Sequence, residues 1–256
     1  TWGLWGEFKP VVPRDLRLEV RERVLADGTV REFVDINEIK ESARKLLEEG
    51  CEALSVIFIN SYANDENEKI AKGAIQDIWP NEHITVSSEI LPEIREFERA
   101  STSTLNAVLQ PVLSHYLGAL EETLTKKGFL GQALIVQSNG GVMSIENAKA
   151  LPIKTALSGP AAGVIAASYI GVNAGYPNIV SCDMGGTSFD VSLISGGQSK
   201  LAAQTSIDFG MVVRSPMVEI ITIGAGGGSI AKVDAGGLLQ AGPESAGSDP
   251  GPGCLG

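Results

Sequence analysis

Positive charge is scarce in this sequence. Twenty Lys and Arg face 31 Asp and Glu, a net charge of −11, so no basic surface is available to neutralise a nucleic-acid backbone or an anionic membrane. Long apolar runs are missing too. The longest, Ala161 to Val172, falls well short of the ~20 residues that a bilayer span takes, and a soluble protein is expected. Cysteine is limited to Cys51, Cys182 and Cys254, scattered and odd in number. That excludes a disulfide framework and a Cys-x-x-Cys metal knuckle, and points to the reducing cytoplasm. The two histidines, His83 and His115, form no His-Glu-x-x-His pattern, so a histidine-built metal site is not expected. No Gly-Lys-Ser/Thr occurs, which excludes a Walker A loop. A secretory or transit segment is not expected either. The chain opens at Thr1-Trp2-Gly3 and runs out in the Gly/Pro-rich stretch from Gly247 to Gly256. It therefore reads as an internal piece of a longer polypeptide.

What is present changes character near residue 128. Six of the 30 glycines precede that point, whereas 38 of the 51 charged residues do. A charged first half gives way to a glycine-rich, nearly uncharged second half. The 256 residues are enough for one large domain or two modest ones. Strand and helix patterns alternate, which predicts an α/β protein. In the first half, Leu16, Leu18 and Val20 with the turn at Asp27-Gly28 predict a hairpin. Helical spacing follows from Asp35 to Glu49, closed by Gly50. Ala53 to Ile59 is a short strand, the Ile70 to Ile78 stripe a helix, and His83 to Ser87 a strand. Glu96 to Lys127 is a long helix that Pro111 should bend, and Glu93, Glu96 and Glu98, flanking Arg95 and Arg99 around its start, are expected to form a solvated ion-pair face. In the second half, Ala133 to Gln137 predicts a strand. Ser158-Gly159-Pro160 opens an Ala-rich helix with proline in its first turn. Ile179 to Cys182 and Phe189 to Ile194 predict paired strands, and Val218 to Ile223 a further one. Cys182 is expected in the core.

Two glycine-rich loops carry the chemistry. The tip Asp183-Met184-Gly185-Gly186-Thr187-Ser188-Phe189-Asp190 joins two apolar strands. Its consecutive glycines can turn backbone N–H groups outward into an anion nest. Asp183 is placed to hold Mg2+ directly or through water, while Thr187 and Ser188 offer hydroxyls to phosphate oxygens. The second loop, Gly226-Gly227-Gly228-Ser229, offers backbone without side chains to a flat ligand such as adenine or ribose. It is not a dinucleotide fingerprint, because that pattern needs glycine at Ser229.

Six segments in order sharpen the reading: Leu91 to Thr102, Gln137 to Gly141, Ser158 to Gly163, Asp183 to Val191, Gly224 to Ala231 and Gly242 to Gly247. Through nearly the whole chain they resemble the hydantoinase A/oxoprolinase family. The resemblance implies an actin/hexokinase/Hsp70-like (ribonuclease H-like) ATPase fold in two domains. Residues 1–154 would be the end of the first, with inserted α/β elements, and residues 155–256 the start of the second, with both loops. It implies ATP-dependent hydrolysis of a cyclic amide, such as a hydantoin, 5-oxoproline or another lactam, through phosphorylation of its carbonyl oxygen. Ketone carboxylation driven by ATP is the alternative, and a non-catalytic nucleotide switch a second one.

Matched residue by residue, Asp183 would be the Mg2+ or attacking-water residue. Gly185, Gly186, Thr187, Ser188 and Asp190 would form a phosphate loop, and Gly226, Gly227, Gly228 and Ser229 an adenosine-binding turn. The family's first phosphate loop has no counterpart before residue 183, so this piece carries half of an ATP clamp and is expected to be inactive alone. Asn60 and Asn67 stand where the family often has histidine, and Phe189 where it often has threonine. ATP and Mg2+ are the implied cofactors. A hydantoinase B-like subunit or domain is the implied partner, in a cytoplasmic oligomer with no nucleic-acid or membrane partner.

Overall fold

The computed structural model describes residues 10–208 and 211–247. The opening residues, Cys254 and the Gly/Pro-rich stretch beyond Gly247 lie outside them. The chain divides into two compact units that interleave in sequence. The first comprises residues up to 135, 142–156 and 203–215; the second comprises 136–141, 157–202 and 216 onward.

In the first unit, a 3-10 turn at Arg14–Leu16 precedes the pair β1 (Arg23–Val24) and β2 (Val30–Glu32). The sequence placed this hairpin's first strand at Leu16 to Val20, but those residues form no strand, and pairing begins only at Arg23. Gly28, at φ +86°, makes the turn. Asp35 then starts α1 (Ile36–Glu48) by accepting hydrogen bonds from the N–H groups of Asn37 and Glu38, which satisfies donors that the first helical turn leaves open. Gly50, at φ +81°, follows its end in the left-handed conformation. Next come β3 (Leu54–Val56), α2 (Glu66–Gln76), β4 (Ile84–Val86) and the short α3 (Ser87–Ile90). β3 and β4 pair in parallel, Leu54 opposite Ile84 and Val56 opposite Val86. The core of this unit gathers Val34, Ile39, Ala43, Val56, Ile75 and Trp79 with their neighbours.

The 31-residue α4 (Glu96–Lys126) continues through Pro111 without a break. Its buried side is polar, with Arg99, Thr102, Ser103, Asn106 and Gln110 among the buried residues. The ion-pair face expected before this helix is therefore divided. Arg95 and Glu98 do pair at the surface, Glu93 pairs with Arg214, and Arg99 is fully buried. β5 (Leu134–Val136) pairs with β6 (Val142–Ser144), which leads into α5 (Ile145–Ala150) and a 3-10 turn at Pro152–Thr155.

The second unit begins with α6 (Ser158–Asn173). It continues through β7 (Ile179–Met184), β8 (Phe189–Ser195), β9 (Gln198–Ser199) and β10 (Leu201–Ala202). The chain then returns to the first unit as β11 (Thr205–Asp208) and β12 (Met211–Val213). Val212 N–H donates to Ser101 Oγ at 3.1 Å and Arg214 N–H to Thr102 Oγ1 at 3.0 Å, so α4 side chains hold this excursion. Back in the second unit are β13 (Met217–Val218), β14 (Ile221–Ile223), β15 (Ser229–Val233) and β16 (Leu239–Ser245). The strand expected from Val218 to Ile223 is thus two strands with different partners: β13 pairs with β10, and β14 with β8. The central sheet runs β14-β8-β7, antiparallel throughout. One face of it packs on α6 through Ala161, Val164, Ile194 and Val218. Among the described residues, no helix is long and apolar enough to cross a membrane.

Candidate functional site

Both glycine loops belong to the second unit, and their backbones touch. β7 and β8 pair from Ile179 opposite Ile194 to Met184 opposite Phe189. Residues 185–188 are left as the tip of the hairpin, closed by Gly185 N–H donating to Ser188 O at 3.0 Å. The turn that follows β14 lies directly on this tip. Gly227 N–H donates to Gly185 O at 2.9 Å and Gly228 N–H to Gly186 O at 2.7 Å. A third bond, Ala246 N–H to Gly228 O at 2.7 Å, ties in the end of β16.

Glycine is required here by proximity. The tip glycines do not adopt positive φ. A Cβ on Gly226 would stand 2.6 Å from Gly185 O and 2.8 Å from Gly186 C. One on Gly228 would stand 2.9 Å from Ser245 Oγ and 3.0 Å from Gly186 O. The Gly226 distances are below what a Cβ tolerates against backbone, and at Gly228 the Ser245 hydroxyl and the Gly186 carbonyl would have to give way. Gly242, at φ +71°, packs equally closely on Gly224 O, at 2.5 Å from its Cβ position.

The bonds determine what is left for a ligand. The N–H groups of Gly227 and Gly228 are spent on the tip, and the Ser229 hydroxyl accepts Gly226 N–H at 2.7 Å, closing its own turn. The amides of Gly186, Thr187 and Ser188 have no backbone acceptor among the described residues, and the hydroxyls of Thr187 and Ser188 have no partner there either. A Cβ at Gly186 would meet nothing within 4 Å. The tip therefore presents a run of unspent donors over open space, the arrangement that receives an anion.

Two carboxylates flank it. Asp183 and Asp190 are cross-strand partners. Asp190 Oδ1 accepts Thr222 Oγ1–H at 2.5 Å, whereas Asp183 is exposed and has no partner among the described residues. The Asp183 carboxylate lies beside the first half of α6, where a Cβ on Gly163 would stand 3.8 Å from Oδ2. Among the described residues no group of three or more His, Cys, Asp or Glu could hold a metal ion. One or two carboxylates suit Mg2+ when substrate phosphates and water complete its shell. An unspent Asp183 beside a phosphate-receptive tip fits that demand.

The remaining sequence candidates lie elsewhere. Cys182 is exposed, not in the core, because its side of the sheet is the one opposite α6. Asn60 and Asn67 sit in the first unit and are engaged there. Asn60 Nδ2 donates to Val24 O at 3.0 Å, and its backbone is left-handed at φ +59°. Asn67, 1% exposed, donates to Glu22 Oε2 at 2.9 Å and Glu32 O at 3.0 Å and accepts Val34 N–H. Burial pushes the Glu22 carboxyl up, and the bond from Asn67 partly opposes that. A cavity of the first unit, about 810 Å3, is an apolar groove along β3 lined by Leu46, Phe58, Phe97 and Val108, and it contains none of the predicted site residues. Sequence reading missed the buried pair Glu68 and Arg99. A charged residue set in a helical stripe was its only signal, and that pattern more often marks a solvated face.

Comparison with known proteins places these loops in context. A family model described as hydantoinase/oxoprolinase matches residues 99–256, and one for the hydantoinase/oxoprolinase N-terminal region matches residues 4–79. The acetophenone carboxylase gamma subunit of Aromatoleum aromaticum is 36% identical over 96% of this chain and 34% of its own length. The 5-oxoprolinase of Saccharomyces cerevisiae is 33% identical over 85% of this chain and 17% of its own. The crystal structure of the ATP-dependent caprolactamase from Pseudomonas jessenii superposes with a TM-score of 0.80 at 30% identity, covering 98% of this chain and 36% of that one. The chain thus spans about a third, or less, of the relatives that it matches.

Proposed function

The chain belongs to the hydantoinase/oxoprolinase family, and from that premise we propose that the full-length protein spends ATP to activate the carbonyl oxygen of a cyclic amide for hydrolysis. The observation that carries the reading is the tip at residues 185–188, with three unspent amides, two hydroxyls and the free Asp183 carboxylate at one end of the hairpin. The fold that accommodates it is the actin/hexokinase/Hsp70-like one. In that fold, residues 1–154 and 155–256 are the end of one domain and the start of the next.

Amides are poor electrophiles. Transfer of the γ-phosphoryl group to the carbonyl oxygen forms an O–P bond and releases ADP. Water then adds to the activated carbon, the C–N bond opens with a proton passing to nitrogen to leave an acyl phosphate, and a second water cleaves that mixed anhydride to carboxylate and phosphate. Such a transfer depends on positioning and on neutralising charge at the transferred group. The amides of Gly186, Thr187 and Ser188 and the two hydroxyls would bind phosphate oxygens. Gly226 and Gly228 hold the tip in shape by backbone contact. Gly224 and Gly227, whose Cβ positions are unobstructed, leave a side-chain-free surface for adenosine. Asp183, with Asp190 beside it, would hold Mg2+, which supplies charge neutralisation at the phosphates when bound.

A ketone carboxylase is the second reading, favoured by the 36% identity to the acetophenone carboxylase subunit. The experiment is ADP release by the full-length protein with a hydantoinase B-like partner, against 5-oxoproline, hydantoins, other lactams, and ketones with and without bicarbonate. Stimulation by a lactam without bicarbonate supports the hydrolase. Bicarbonate-dependent stimulation by a ketone replaces it with the carboxylase. Tight ATP binding with no stimulation by any of them leaves a nucleotide switch. Asp183→Asn should lower stimulated turnover by roughly a thousandfold, as for loss of a group that stabilises transition-state charge, and unchanged turnover would remove Asp183 from the site.

A further inference from the structure

Helix α6 contains two glycines beyond its first turn, and packing explains only one of them. At Gly171 a Cβ would stand 2.9 Å from both Ile179 Cδ1 and Tyr176 O, so the helix needs glycine to come this close. At Gly163 nothing comparable holds. Its backbone is not left-handed. The one heavy atom among the described residues that a Cβ there would meet within 4 Å is Asp183 Oδ2, at 3.8 Å, an ordinary contact. The position is exposed and lies in the helix interior, where glycine is the poorest helix former after proline. Ala161, Ala162, Ala166 and Ala167 surround it. Alanine would fit at Gly163 and would favour the helix, so what the glycine supplies is the space in front of the carboxylate.

That space and a methyl group exclude each other's use. A water donating to Oδ2 sits about 2.8 Å from it, on the helix-facing side that a methyl at 3.8 Å would occupy. Asp183 is exposed and unspent, whereas its cross-strand partner Asp190 is engaged by Thr222. A single free carboxylate does not complete the shell of a Mg2+ ion, which gives up its waters reluctantly and is bound with several of them in place. Those waters need room beside the carboxylate, and a helical residue without a side chain provides it. With residues 185–188 read as a phosphate site, we propose that Gly163 is a positioning residue: it keeps a water niche open between α6 and Asp183 Oδ2, through which Asp183 holds the nucleotide's divalent cation by way of a water ligand rather than by direct coordination.

The test compares three full-length proteins: the parent, Gly163→Ala and Asp183→Asn. Mn2+ is the probe, with its free concentration followed by electron paramagnetic resonance during titration in the presence of ADP. Each protein is also melted with neither metal nor nucleotide. Gly163→Ala should hold or raise the melting temperature, as helix propensity dictates, yet bind Mn2+ about tenfold more weakly, the scale for loss of an outer-shell partner of a metal. A folding defect would instead lower both readouts together. Three outcomes overturn the proposal. A lower melting temperature in Gly163→Ala means that the glycine serves packing. Parent-like Mn2+ affinity in Gly163→Ala, with weakened affinity in Asp183→Asn, means that the methyl displaces nothing and that Asp183 meets the cation directly. Parent-like affinity in both variants removes Asp183 from the cation, and with it the phosphate-site reading on which the niche rests.

Discussion

Glu68 and Arg99 grip the same residue. Glu68 Oε1 accepts Phe58 N–H at 2.9 Å, and Arg99 Nη2 donates to Phe58 O at 2.6 Å. The parallel pairing of β3 with β4 ends at Val56 opposite Val86, because β4 turns into a helix at Ser87. Phe58, two residues on, would form the next rung of the ladder. A carboxylate and a guanidinium stand in for the missing strand's C=O and N–H, and both side chains are fully buried.

That arrangement makes Glu68→Gln costly. The carboxylate also accepts Ser87 Oγ–H at 2.6 Å and Ser88 N–H at 2.8 Å, so every donor facing it needs an acceptor. An amide would turn its NH2 onto one of those donors. A loss of about 2 kcal/mol or more is expected, the scale for a bond to a buried charged group, read from urea unfolding of the full-length protein. A change within experimental error would mean that the carboxylate is not what ends the strand.

Gly226→Ala and Gly227→Ala should behave in opposite ways although they are neighbours. The first puts a methyl 2.6 Å from Gly185 O, whereas the second meets that atom at an ordinary 3.8 Å. Overpacking against backbone costs about 1–3 kcal/mol, and here the backbone that must yield is the phosphate tip. Gly226→Ala is expected to lower both the melting temperature and ATP-dependent turnover. Gly227→Ala should leave the melting temperature unchanged. Equal effects would show that the two loops do not rest on each other as described.

Much of this was legible in the sequence, for reasons that differ by residue. Asp35 and Gly50 bracket α1 because capping and left-handed closure are local chemistry. The hairpin tip was legible because glycine and hydroxyl residues between two apolar strands have few other uses. What depends on distant contact was not. Arg99 sits among charged neighbours and reads as exposed, yet its burial is decided by Phe58, 41 residues away. The glycines of residues 226–228 suggested a ligand surface, but their first task is to fit against another loop. Cys182 read as core because its strand is apolar on both sides, and only the placement of α6 shows which side is filled.

Helix α1 gives a local test. Asp35→Ala removes the acceptor for Asn37 N–H at 2.7 Å and Glu38 N–H at 3.3 Å. Loss of an N-cap costs about 1 kcal/mol, so the urea midpoint should fall with no change in turnover, since the helix belongs to the first unit and the tip to the second. Asp35→Ser should recover most of the loss.

Glu22 sets a pH dependence with a definite sign. Burial holds its carboxyl above the ordinary 4.5. Its contribution to stability is therefore fully present below that value and is lost as pH rises through the raised one. Glu22→Gln keeps an acceptor for Asn67 Nδ2 and abolishes the titration. Urea midpoints of the variant should gain on the parent as pH rises above the ordinary carboxyl value, and parallel curves would show that Glu22 ionises in the fold as freely as in the unfolded chain.

Thr222 offers the most direct question about the carboxylate pair. Its hydroxyl bonds Asp190 Oδ1 at 2.5 Å, while Asp183 opposite is unspent. A held carboxylate beside a free one gives the two different tasks, with Asp190 fixed in place and Asp183 free to meet a cation or a water. Thr222→Val keeps the branched shape that suits β14 and removes only the donor. The lost bond is worth about 1 kcal/mol, so stability should change little. If Asp190 supports Mg2+ at the phosphate tip, the released carboxylate will raise the Mg2+ concentration needed for half-maximal turnover, and Thr222→Ser, which restores a hydroxyl, will bring it back. An unchanged Mg2+ requirement in Thr222→Val, alongside full turnover, would leave Asp190 as a strand residue held by its neighbour and assign the cation to Asp183 alone.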